Sequence, residues 1–350
     1  MTPAPAVSPK DRSIERNLVI TPTRLAALGV ATLLALAGCT TTAPQAAAPS
    51  AASGQPAASY PLAATDCGKE VTFQAAQTKV MTIGSDAIAP LDAAGAADRI
   101  VARSGEFGAE LPAGLTHPPT DATIVDPSDP TTEKILGSGA ETVIGYGFFK
   151  ADAKALADAG ITLLTISGEC GHDANAEVKP VDFDLILGDV SRFGRVFGTV
   201  EVADRAVNAL SSRIKAVRDA KPTATRSAAA VYYFSSTAPM SAYGGAGILH
   251  TQLAMNGLTN AYGDQPKTYL EVSTESLLKA DPEVIVLAYG LFGETFETAK
   301  KRLLAEPGAK DLRAVKAGRI IPLRANQTSA STAAVDGLEA LHKAVAGLGS

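Results

Sequence analysis

The feature that most constrains this chain is a helix-then-strand unit that occurs twice. The stretch "TEKILGSGAETVIGYG", residues 132–147, returns as "TESLLKADPEVIVLAYG", residues 274–290. Each copy opens on Thr-Glu and carries apolar residues at helical spacing. Each then shows a glutamate, a short apolar run and Tyr-Gly. A helix feeding a fully apolar strand is the building block of a mostly parallel α/β sheet. Two copies are too few for a solenoid, which needs at least three stacked repeats. They fit two related α/β lobes, one copy in each.

The segments around the copies extend this reading. "KVMTIG", "RIVAR", "ETVIGYG" and "ITLLTIS" read as strands separated by short helices. Gly95 and Gly160 are placed to cap two of those helices in the left-handed region. Thr131 or Thr132 is the expected N-cap of the helix in the first copy. The stretch "EFGAELPAGLTHPPTDATIVDPSDP" reads as a loop. Two long helical patterns follow without a strand between them. In the second, Val207, Leu210, Ile214 and Val217 share one face, and Pro222 stops the helix. Beyond it, "SAAAVYYFS", "EVIVLAYG" and "GRIIPL" read as strands, with helices between and after them. The expected organisation is a first lobe over 66–198, a spine helix over 199–222 and a second lobe over 223–350.

The N-terminal segment predicts where the chain works. Arg16 and Arg24 precede the apolar run "LAALGVATLLALAGC", which ends in a bacterial lipobox, "LAGC". A basic region, a short apolar run and small residues before a cysteine read as a lipoprotein signal over 1–38. Cys39 would then carry lipid and become the mature N-terminus. The run is shorter than the roughly 20 apolar residues that span a bilayer, and no second long apolar run exists. Residues 39–65, rich in Ala, Pro, Ser and Thr without periodicity, read as a tether. The remaining cysteines, Cys67 and Cys170, form an even pair in an exported chain, which favours a disulfide.

Composition removes several function classes. The net charge of −5 gives no basic surface for nucleic acid. Four scattered histidines do not suggest a metal site. No nucleophile elbow, Walker loop or H-E-x-x-H appears. The one close Cys/His pair, Cys170 and His172, would be disabled by a disulfide, so no enzyme is expected.

From Cys67 to the C-terminus the chain resembles the class III substrate-binding lipoproteins of bacterial ABC importers, which carry ferric siderophores, haem and cobalamin. The resemblance rests on four segments in order: "KVMTIGSDAIAPLDAAGAADRIVA", "TTEKILGSGAETVIGYG", "VYYFSSTAPMSAYGGAGILHTQLAMNG" and "EVSTESLLKADPEVIVLAYG". It implies two Rossmann-like lobes joined by a single long spine helix, with cargo held between them. It implies docking of the loaded monomer on a permease dimer with its ATPase. The family uses one glutamate per lobe to pair with permease arginines; by motif position these are Glu133 and Glu275. An exposed carboxylate against arginine gives a charge-assisted pair, and two pairs set orientation.

Cargo in such a fold sits at the C-terminal ends of the strands. The loops expected there supply Ser85, Asp86, Arg103, Phe107, Tyr146, Phe148, Phe149, Tyr243, Tyr289, Phe292 and Arg324. Aromatic faces suit a bulky chelate, and arginine recognises anionic oxygens bidentately. The expected cargo is a ferric siderophore, with cobalamin, haem or another bulky anionic cofactor as the alternative. No catalytic group or resident cofactor is expected, and the membrane is met only through lipid on Cys39.

Overall fold

The computed structural model describes residues 58–171, 180–222 and 224–348. The expected signal, the expected lipidation site Cys39, most of the expected tether and His172 lie outside the described residues. No helix among the described residues is long and apolar enough to cross a membrane.

The first described strand falls inside the stretch expected to be tether. Strand β1 (Leu62–Asp66) pairs antiparallel with β2 (Lys69–Phe73). Ala64 and Phe73 of this hairpin are buried in the core. Tyr60 donates its hydroxyl to the Arg195 carbonyl at 2.7 Å. The expected boundary at Asp66 is therefore late: composition describes the tether, but a Tyr and a Leu near its end are enough to dock it.

The first sheet is all parallel. Its strands are β3 (Val80–Ile83), β4 (Ile100–Ser104), β5 (Thr123–Asp126), β6 (Thr142–Gly145) and β7 (Thr162–Thr165), in spatial order β5-β4-β3-β6-β7. Helices α1 (Ile88–Ala93), α2 (Thr132–Leu136) and α3 (Ala153–Asp158) connect them. Gly95 ends the α1 segment at φ 73° and Gly160 the α3 segment at φ 80°. Strand β5 lies within the segment expected to be loop. Its four residues, "TIVD", stand at the sheet edge between proline-rich stretches, too short for alternation to declare them.

Helices α4 (Phe183–Phe197) and α5 (Val200–Asp219) then leave the first lobe. On α5, Ile214 and Val217 are buried, and Val207 and Leu210 pack against the same core.

The second sheet is mixed. It contains β8 (Arg226–Tyr233), β9 (Met240–Tyr243), β10 (Leu258–Asn260), β11 (Tyr269–Glu271), β12 (Val284–Tyr289) and β13 (Ile320–Arg324). The order β11-β9-β8-β12-β13 is parallel from β8 onward. Strands β9 and β11 run antiparallel to their neighbours, and β10 pairs with the start of β8. Helices α6 (Ile248–Met255), α7 (Thr274–Ala280), α8 (Phe296–Ala305) and α9 (Arg313–Lys316) cover it, and α10 (Ala333–Ala346) closes the chain. Separate apolar clusters pack on the two faces, as a sheet with buried central strands requires. Arg213 of α5 contacts Asp336 and Glu339 of α10 at 2.6 Å, which braces the linking helix against the last one.

The repeated unit has one structural meaning in both places. Its helices are α2 and α7; its strands are β6 and β12. The glutamate before each strand, Glu141 or Glu283, binds the start of a neighbouring strand. Glu141 accepts from the Thr78 amide at 2.9 Å, and Glu283 accepts from the Ser227 amide at 3.0 Å.

Candidate ligand-binding cleft

The C-terminal ends of β3, β4, β6, β12 and β13 open into one cavity of about 720 Å³. In the first sheet the chain order reverses between β3 and β6, the position where an open α/β sheet leaves a crevice. Gly84, Ser85 and Asp86 follow β3 and line it, as does Tyr146, immediately after β6. Gly84 adopts φ 87°, and a Cβ there would stand 2.5 Å from the Tyr146 ring. Glycine thus lets the tyrosine ring lie flat against the turn after β3. The Tyr146 hydroxyl donates to Asp129. Burial, with Asp129 next, pushes its pKa far up, so the phenol stays protonated.

The second lobe contributes an aromatic wall. Tyr232, Tyr243 and Tyr269 meet edge to face or tilted, with ring centroids 5.0–5.5 Å apart. Tyr243 and Tyr269 are register partners on β9 and β11. Burial raises the pKa of all three hydroxyls. Tyr243 shares a hydrogen bond of 2.8 Å with Thr328. Tyr289 ends β12 beside Phe296 at 5.7 Å, and the Arg324 guanidinium stands 5.8 Å from the Tyr289 ring. At the rim, Phe107 from the first lobe meets Phe234 from the second at 5.9 Å.

Of the residues expected here, the cavity gathers Ser85, Asp86, Phe107, Tyr146, Phe149, Tyr243, Tyr289 and Arg324. Three do not line it. Arg103 is buried on β4, where its Nη1 lies 3.3 Å from Glu106. A buried guanidinium requires a carboxylate partner, and Glu106 three residues on supplies it. Arg103 is therefore a neutralising partner behind the wall and does not line the cavity. Phe148 packs into the first lobe, against the apolar cluster on one face of its sheet. Phe292 serves the cleft through its backbone: its amide donates to Glu294, and Gly108 approaches its carbonyl.

Reading by residue type missed more than it misplaced. Tyr232 and Tyr269 sit inside strands, where aromatics read as core. Strand alternation separates Tyr232, which lines the cleft, from Tyr233, which packs in the second-lobe core. The acidic residues Glu106, Glu110, Asp129, Glu169, Glu294 and Glu297 also line the cavity. A signal existed for the first two, in "GEFGAE" directly after a strand. Glu294 accepts from the Gly290 amide at 2.7 Å and the Phe292 amide at 3.0 Å, so it folds the loop after β12. Burial raises the pKa of Glu106, against the opposing effect of Arg103.

Among the described residues, no group of three or more His, Cys, Asp or Glu side chains stands where it could hold a metal ion. Cys67 and Cys170 are joined in a disulfide. Glu133 and Glu275 are exposed in the first turns of α2 and α7, on different lobes and outside the cavity.

Residues 80–327 match the family model described as "Periplasmic binding protein". No curated protein sequence matches the chain. Among solved structures, an ABC-type Fe3+-hydroxamate transport protein from Saccharomonospora viridis is 28% identical, with a TM-score of 0.71 over 82% of this chain and 99% of that one. The haem-binding protein HutB of Vibrio cholerae is 16% identical, with a TM-score of 0.61 over 78% of this chain and 99% of that one. The vitamin B12-binding protein BtuF of the same organism is 18% identical, with a TM-score of 0.58 over 78% and 98%. With its two α/β lobes and the cavity at their strand ends, the chain belongs to the periplasmic binding protein family in its class III form, substrate-binding proteins of ABC transport and not enzymes.

Proposed function

We propose that this protein is a lipid-anchored extracytoplasmic receptor that holds a ferric siderophore between its lobes and delivers it to an ABC permease. The observation that carries the reading is the cavity itself. Five tyrosines and four phenylalanines line a space large enough for a metal chelate, and no clustered metal ligands stand in it among the described residues. Iron would therefore enter already wrapped in its chelator, with the aromatic faces gripping the organic shell. The 28% identity to an Fe3+-hydroxamate transport protein supports the hydroxamate class. The lipobox supports anchoring through Cys39. Glu133 and Glu275, exposed one per lobe, would pair with basic residues of the permease dimer, whose ATPase drives import. The protein needs no cofactor of its own and works as a monomer.

Haem is the second reading, favoured by the tyrosines Tyr146, Tyr243 and Tyr269, any of which offers a phenol oxygen to an iron. Each hydroxyl is held protonated by burial, so ligation would have to release that proton. Titration of the purified chain with ferric tris-hydroxamates, followed by tyrosine fluorescence, tests the first reading. A saturable change supports it, and no response to any of them defeats it. A Soret shift on titration with haemin would favour the second.

A further inference from the structure

The cleft is strongly acidic. Seven carboxylate side chains line it against one cation, Arg324, among the described residues. Local pairing removes only part of that excess. Arg324 is taken by Glu110, and Arg103, behind the wall, faces Glu106. Asp129 receives a hydroxyl from Tyr146, and Glu294 receives two backbone amides, all neutral donors that leave the charge in place. Among the described residues no lysine, arginine or histidine pairs with Asp129, Glu294 or Glu297. These acids come from both lobes, so the field fills the space between them.

A second observation points into the same space. The side chain of Glu106 is 9% exposed and lines the cavity; its Oε1 stands 3.3 Å from the Arg103 guanidinium as an ion pair but receives no hydrogen bond. An oxygen with an ion pair behind it and no hydrogen bond can still accept a donor from the cavity side. Around it, tyrosine and phenylalanine faces offer the other surface that attracts an alkylammonium group.

We propose that the cargo is a ferric chelate with net positive charge, bearing a protonated amine that is seated among the cleft carboxylates. This rests on the iron-chelate reading and adds the charge class. Three hydroxamates, each a monoanion, neutralise Fe(III), so a pendant ammonium makes the whole complex a cation. Three catecholates, each a dianion, leave the complex strongly negative, and haem brings two propionates. Both meet repulsion from the acidic walls. The expectation that arginines would receive an anionic cargo is reversed: one of the two arginines is behind the wall, and the other is already paired.

The test uses one metal core with three charges. A linear ferric tris-hydroxamate with a free terminal amine, its N-acetyl derivative and its N-succinyl derivative are titrated into the full chain at low and high salt. Affinity is expected to fall about tenfold from ammonium to acetyl and about tenfold again to succinyl, with the first step shrinking in salt. Glu297→Gln, at an exposed position in the first turn of α8, should narrow the ammonium-to-acetyl ratio by about threefold. Equal affinities for the three derivatives, or preference for the succinyl form, would overturn the charge assignment and leave the iron-chelate reading standing. Failure of all three to bind would overturn both.

Discussion

Arg324, at the end of β13, and Glu110, in the loop after β4, reach each other across the mouth of the cleft and form an ion pair between the two lobes. The pair is half open to solvent, with side-chain exposures of 42% and 71%. A bond of that kind contributes little to folding, because water screens it and two long side chains must be held still. Its effect falls on the cleft. Arg324→Gln should change unfolding free energy by less than about 1 kcal/mol in urea titration. It also removes the one lining cation among the described residues, so affinity for the ammonium-bearing hydroxamate should rise by about threefold. A loss of affinity would mean that the guanidinium itself holds the cargo.

Gly84 and Tyr146 make a second coupled pair. Any side chain at Gly84 must adopt φ 87° and displace the Tyr146 ring, 2.5 Å from the new Cβ. Gly84→Ala should destabilise by about 2 kcal/mol, roughly half from the left-handed backbone. Chelate affinity should fall with it. In a Tyr146→Ala background the steric part disappears, so the two effects should be clearly non-additive in a double-mutant cycle. Additive losses would show that the ring does not depend on the glycine.

These two pairs show what the sequence can and cannot disclose. The alternation of short helices and apolar runs states the α/β class directly, and the twin Thr-Glu…Tyr-Gly units disclose the duplication. The strand ends followed from periodicity, and so Tyr146, Tyr289 and Arg324 could be named. Direction and pairing could not. Arg103 and Arg324 look alike as letters, yet one is buried behind β4 and the other stands at the mouth. Phe148 and Phe149 are adjacent, and one faces the core while the other faces the cleft. The acidity of the site was invisible because its carboxylates are scattered from Asp86 to Glu297, and only the fold brings them together.

Asp126 ties β5 to the helix that carries Glu133. Lys134 donates to it at 2.5 Å and the Ser128 amide at 2.8 Å, and these bonds hold its carboxyl down from the ordinary 3.8 to about 2. Between those two values the native chain binds fewer protons than the unfolded one, so stability rises with pH there. The contribution is complete above the ordinary carboxylate value and is lost as pH falls through about 2. Asp66 and Asp189, whose pKa values burial raises, act in the opposite sense, so the comparison must be made against a variant. The urea midpoint of the wild-type chain should drop more between about pH 5 and about pH 2.5 than that of Asp126→Asn. Parallel declines in the two proteins would show that this carboxylate is not linked to folding.

The disulfide between Cys67 and Cys170 closes a segment of 103 residues and anchors the β1–β2 hairpin beside Glu169, a cleft residue. In the chain-entropy model such a closure stabilises by roughly 4–5 kcal/mol. Cys67→Ser with Cys170→Ser should lose an amount of that order in urea unfolding. Titration of the native chain with a thiol reagent should find neither cysteine reactive until a reductant is added. A reactive Cys170 in the oxidised protein would contradict the pairing.

The repeated glutamates separate delivery from binding. Glu133 and Glu275 are exposed, stand on different lobes and do not line the cavity. Neither is held in an ion pair among the described residues, so their removal should leave folding within about 0.5 kcal/mol. Glu133→Ala with Glu275→Ala should therefore bind chelate with unchanged affinity and fail to support uptake in a strain that depends on this receptor. Tyr146→Ala with Tyr289→Ala should do the reverse, weakening binding first and uptake only through it. The single glutamate variants discriminate further. If each pair orients the loaded protein on a two-fold permease, either loss alone should impair uptake partly, and raised receptor expression should restore it. Normal uptake in the double variant would reduce the Thr-Glu repeat to a folding unit, with its acidic side chains serving only the first turns of α2 and α7.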